Sequence, residues 1–94
     1  MESYEFNGIV ELFPQDKGWH FIKVPEMLSK PFKHLEDRGL IAITAFVGDS
    51  AWNTSQLPMG DGSHFIALPK AVRNKEKINL GDTIKVVFKL RDRD

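Results

Sequence analysis

The chain has 94 residues, 41% hydrophobic and 28% charged, a globular composition with enough length for one domain and one modest core and too little for two. Thirteen Lys and Arg balance thirteen Asp and Glu, so no net field draws the molecule toward DNA, RNA or an anionic lipid surface. The absence of cysteine excludes a disulfide framework and a thiolate metal site, and no run approaches the ~20 apolar residues of a membrane span. Met1-Glu2-Ser3-Tyr4-Glu5 has neither a basic start nor an apolar run, so the expected location is the cytoplasm.

Six segments read as strands. Tyr4 to Phe13 alternates, with Tyr4, Phe6, Gly8, Val10 and Leu12 on one face and Glu5, Asn7 and Glu11 on the other. Pro14 to Gly18 reads as a turn, because Pro presets its own φ and Gly accepts a positive one. A second strand spans Trp19 to Val24. A short helical piece opened by Pro25 follows; Pro31 prevents one long helix there, so Phe32 to Asp37 reads as a separate or kinked turn, stopped by Gly39. Met27, Leu28, Phe32 and Leu35 recur at helical spacing and are expected to face the core.

Leu40 to Val47 is apolar on nearly both faces, which marks a central strand. Gly48-Asp49-Ser50 turns the chain into a strand from Ala51 to Leu57 that is unusually polar. Pro58 to Gly62 is a second glycine-rich turn, followed by a strand from His64 to Leu68 and a short helix from Pro69 to Asn74. Thr83 to Leu90 closes the chain with clean alternation: Ile84, Val86, Phe88 and Leu90 inward, Lys85 and Lys89 toward water. So many strands in so few residues predict a compact β-barrel or sandwich.

An internal repeat organises these elements. His20-Phe21-Ile22-Lys23-Val24-Pro25 recurs as His64-Phe65-Ile66-Ala67-Leu68-Pro69, forty-four positions later. Each copy follows a turn holding Pro, Asp and Gly, leads into a short helix, and reaches a glycine and an apolar strand at Gly39-Leu40 and Gly81-Asp82. The glycines are forty-two apart, so the first copy carries two extra residues, and Phe46 aligns with Phe88. The repeat places His20 and His64 as equivalents, close across a pseudo-twofold axis, with Phe46 and Phe88 meeting at the core centre.

Ile66 to Arg73, followed by Leu80-Gly81-Asp82-Thr83-Ile84-Lys85-Val86, resembles the swapped-hairpin domain of transition-state regulators and antitoxins. In that family two identical chains of about half this length interlock into a double-split β-barrel; here both halves lie on one chain. From Phe6 to Asp92 the chain also resembles a small bacterial family, domain of unknown function 1905. The resemblance is carried by Gly18-Trp19-His20-Phe21-Ile22-Lys23-Val24-Pro25, Met59-Gly60-Asp61-Gly62-Ser63-His64, Lys70-Ala71-Val72-Arg73 and Gly81-Asp82-Thr83-Ile84. It implies a double-split barrel, sometimes fused to other domains, with no established activity. The expected fold is therefore all-β: one domain over residues 1–94, a double-split barrel with two short helices. Its two β-β-α-β halves cover about 4–47 and 51–90.

Candidate sites are few. The swapped-hairpin resemblance suggests DNA binding, but only Lys70 and Arg73 match its basic positions, and nucleic acid is not expected as a partner. Asp61, Ser63 and His64 cluster at one turn; neighbours on a strand point to opposite faces, which favours a capped hairpin turn over a triad. The three histidines have no metal-ligand spacing, so neither a metal nor a cofactor is expected. Trp52-Asn53-Thr54-Ser55-Gln56 is either a solvated edge made polar against pairing, or a cleft wall with Trp52 as a stacking surface and Trp19 as its neighbour.

The sequence specifies a fold far better than an activity. Its best reading is a non-enzymatic binding or interaction module for a small molecule or protein, as monomer or homodimer, with ligand contacts drawn from Trp52, Asn53, Thr54, Ser55, Gln56, His64, Lys70 and Arg73. The alternatives are a nucleic-acid-binding regulator, by analogy of fold, and a small-molecule enzyme using Asp61 and His64.

Overall fold

The computed structural model describes residues 2–14 and 19–92, so most of the turn expected at Pro14 to Gly18 lies outside the described residues. The described strands are β1 (Tyr4–Ile9), β2 (Glu11–Leu12), β3 (His20–Val24), β4 (Ile41–Val47), β5 (Ser50–Pro58), β6 (His64–Ala67) and β7 (Thr83–Leu90). All pair antiparallel in the order β1-β7-β4-β5-β6-β3-β2. Since β1 and β2 adjoin in the chain, the two ends of this order come together, and the sheet is a nearly closed barrel.

The strand expected over Tyr4 to Phe13 is broken at Val10, which raises six strands to seven. Val10 is buried; its N–H donates to Asp82 O at 2.8 Å and its carbonyl accepts from the Gly81 N–H at 2.9 Å. Those bonds to the turn before β7 let the chain leave β7 and pair β2 with β3. Leu12, expected on the buried face, consequently ends a two-residue strand and is exposed. Gly8 marks where β1 crosses closely over β3: a Cβ there would lie 2.2 Å from Ile22 Cγ2.

β4 is central, between β5 and β7, as its apolar run predicts. It turns into β5 through Gly48 and Asp49, with Gly48 at φ +57° in the first position of a two-residue hairpin loop. Ile22, Ile41, Ile43, Ile66, Val86 and Phe88 are fully buried at the barrel centre. The Phe88 ring meets those of Tyr4, Phe6 and Phe32 at centroid distances of 5.4, 6.5 and 6.4 Å. Val86 and Phe88 are buried while Ile84 and Leu90 pack on the core half-buried, in the register expected of β7.

The first helical region is two 3₁₀ turns, Glu26–Leu28 and Lys30–Leu35. Leu28 and Phe32 pack on the core, but Met27 and Leu35 are exposed. The reason is the period: three residues per turn, restarted around Pro31, break the 3.6-residue stripe and bury Ser29 instead. The second helix, α1 (Lys70–Glu76), is α-helical and ends on Lys77 in the left-handed region at φ 56°.

The two matching hexapeptides lie side by side. Phe21 faces Ala67, Ile22 faces Ile66 and Val24 faces His64, and Leu68 N–H donates to His20 O at 2.9 Å. His20 and His64 therefore sit at opposite ends of this ladder, four register positions or about 13 Å apart, and do not converge. The expected meeting of Phe46 with Phe88 also fails. In the β4–β7 ladder Phe88 faces Ala45, and Phe46 faces Val87. Directly opposed residues share a face, so Phe46 lies on the outer one, half-buried under the Lys89 ammonium at 5.5 Å from its ring centroid. An offset of forty-two has the wrong parity for this ladder; forty-three matches Ala45 to Phe88. Lys89, expected in water, is half-buried by the same contact. Among the described residues no helix is long and apolar enough to cross a membrane.

Candidate functional site

Three groups of candidates separate in space. His64, 2% exposed at the start of β6, places Nε2 at 2.8 Å from the Glu36 carboxylate and 3.2 Å from Gly39 O. Both partners are acceptors, so Nε2 carries the hydrogen and donates; Nδ1 is buried without a partner among the described residues. Glu36 reaches His64 because it ends the second 3₁₀ turn, its N–H bonded to Lys33 O at 3.0 Å. Asp61 turns elsewhere. It accepts from the Ser63 N–H at 3.0 Å and from the Ser63 hydroxyl, and these bonds hold its carboxyl below the usual aspartate range. Asp61 thus caps the turn, His64 clamps a 3₁₀ turn to the barrel, and the two share no hydrogen bond.

The polar strand β5 is inside the strand order, paired with β4 from Ser50 to Gln56 and with β6 at Leu57 and Pro58. Trp52, Thr54 and Gln56 stand opposite Ala45, Ile43 and Ile41, so they share the inward face; Asn53 and Ser55 take the outer one. Gln56 is fully buried and its Nε2 donates to Leu28 O at 3.1 Å, fastening the first 3₁₀ turn. Its Oε1 and the Trp52 Nε1 are buried without partners among the described residues. Thr44 Oγ1 donates to Asn53 Oδ1 at 2.7 Å, and Arg91 donates to the Ile43 and Thr54 carbonyls.

The third group encloses space. Trp19, His20, Ala67, Leu68, Pro69, Lys70 and Arg73 line a cleft of about 230 Å³ at the end of the β3–β6 ladder. The register builds it: the bond from Leu68 N–H to His20 O closes the ladder, and Pro69 then leads the chain into α1 beside Trp19. Lys70 and Arg73, three apart on the helix, fall on one face. Arg73 Nε donates to Leu68 O at 3.2 Å, which holds the guanidinium back against the cleft wall. The Trp19 indole is 53% exposed at the rim, while His20 is half-buried with Nδ1 covered and unpartnered among the described residues. No carboxylate belongs to the described lining, and neither cation has an ion-pair partner among the described residues. Two positive charges, that of Arg73 held in place, and an indole face can hold and orient an anion.

Of the expected ligand residues, the cleft gathers Lys70 and Arg73; Trp52, Asn53, Thr54, Ser55, Gln56 and His64 do not line it. Sequence reasoning missed Trp19 and His20 as their companions. The signal was available in the repeat, since antiparallel pairing of the hexapeptides sets the start of one against the end of the other. No three His, Asp or Glu side chains converge on a metal position among the described residues. A family model described as a domain of unknown function, DUF1905, matches residues 6–88, and no curated protein matches the chain.

Proposed function

We propose that this chain, which belongs to the DUF1905 family, is a non-enzymatic binding module whose ligand site is the cleft formed by Trp19, His20, Leu68, Lys70 and Arg73. It is read as a bacterial cytoplasmic protein, a single domain built from two repeated halves. The paired hexapeptides centred on Ile22 and Ile66 support the repeat. One observation carries the binding reading: in a chain with zero formal charge, two basic side chains and a largely exposed indole share one concave surface. Phosphate-tracking cations beyond Lys70 and Arg73 are absent from the described lining, and Asp61 and His64 each serve a structural bond, so the cleft outranks the nucleic-acid and enzyme readings.

A thermal-shift series tests it, because a ligand bound only by the folded state stabilises it by about 2.7 kcal/mol at a hundredfold excess over Kd. Small anions are expected to raise the melting temperature of the wild type and not of a Lys70→Gln/Arg73→Gln variant. Equal shifts in both proteins, or no shift from any anion, would contradict the proposal.

A further inference from the structure

We infer that the cleft selects a small aromatic carboxylate, with its ring on the Trp19 indole and its carboxylate between Arg73 and Lys70. This rests on the binding reading above and names its ligand class. Size comes first: about 230 Å³ lies below the ~300–1,000 Å³ of ordinary ligand pockets, so the part of a ligand held inside this open cleft is about one or two fused rings with a short substituent. Charge comes next. Both formal charges in the described lining are positive, so a neutral ligand would leave them unmatched, and an anion would be held by charge-assisted hydrogen bonds.

The geometry of Arg73 orients the anion. Its Nε is committed to Leu68 O at 3.2 Å, so the guanidinium offers its terminal nitrogens as a planar fork, which suits two oxygens of a carboxylate or a phosphate; the aromatic surface beside it favours the carboxylate of a flat ring. Lys70 supplies a mobile point charge beside it. The aromatic part follows from Trp19. Trp19, left 53% exposed in the lining of a cleft that also includes His20, gives a flat ring a stacking surface and removes apolar area from water. Pro69 and Leu68 add apolar side chains to the lining.

Affinities of 2-naphthoate, its neutral counterpart 2-naphthamide and inorganic phosphate, measured by calorimetry or ligand-observed NMR, test this. Naphthoate is expected to bind at least tenfold more tightly than either comparison ligand. Arg73→Gln and Lys70→Gln should each weaken it severalfold or more, as should Trp19→Leu, which keeps an apolar group but removes the ring. Lys70 and Trp19 are exposed, so these two variants fold even if Arg73→Gln does not. Naphthamide equal to naphthoate would overturn the carboxylate assignment. Phosphate as tight as naphthoate, with the same dependence on Lys70, would overturn the aromatic class while leaving the cleft a binding site. No binding by any of the three would overturn both readings.

Discussion

His64 Nε2 donates to the Glu36 carboxylate at 2.8 Å, and through that bond the second 3₁₀ turn is fastened to β6. The imidazole is 2% exposed, so its N–H has little recourse to water if the carboxylate is lost. Glu36→Ala leaves it Gly39 O at 3.2 Å alone. The expected cost is about 1–3 kcal/mol, with Glu36→Gln costing less because an acceptor remains. Urea melts decide it: an alanine variant within about 0.5 kcal/mol of wild type would mean the bond contributes nothing.

Phe88 is the hub of the aromatic cluster, fully buried against Tyr4, Phe6 and Phe32. Truncation to alanine should cost about 3–5 kcal/mol, a large part of the ~5–15 kcal/mol a domain holds. Lys89, one residue along on the other face, covers Phe46, so Lys89→Ala should cost no more than about 1 kcal/mol. Thermal melts giving equal losses for the two variants would contradict the β7 register.

Gly8 permits the close crossing of β1 over Ile22. Ile22 is fully buried and β-branched, and it cannot swing aside as an exposed flexible side chain would. Gly8→Ala should therefore destabilise by about 1–3 kcal/mol, although alanine normally suits a strand better than glycine. A stabilised variant would show that β1 does not approach β3 as described.

Duplex DNA should bind more weakly than ~10⁻⁶ M at physiological salt, because phosphate neutralisation supplies most non-specific affinity. The chain has no net positive charge, and only Lys70 and Arg73 are gathered at the cleft. Anisotropy titration giving submicromolar, salt-sensitive binding would reverse this expectation.

What could be read from the sequence followed the range of the interaction that decides each element. The register of β7 was legible because period-two alternation is written in Ile84, Val86, Phe88 and Leu90 themselves. The break at Val10 was not, since alternation runs through it unbroken and the cause is bonding to Gly81 and Asp82, distant in sequence. Lys70 and Arg73 were legible because they match the basic positions of the swapped-hairpin pattern, whereas Trp19 joins them only through the β3–β6 register. Gln56 looked like a solvated or ligand-facing amide; its burial depends on Leu28 O, a backbone acceptor that residue type does not reveal.

The two indole N–H resonances of ¹⁵N-labelled protein test the location of the site most directly, because Trp19 lines the cleft and Trp52 sits on the inward face of β5. Titration with 2-naphthoate should move the Trp19 indole signal and the Arg73 side-chain signal along one saturating curve, leaving Trp52 in place. A saturating shift confined to Trp52, with Trp19 unmoved, would put the ligand at the polar strand and contradict the account.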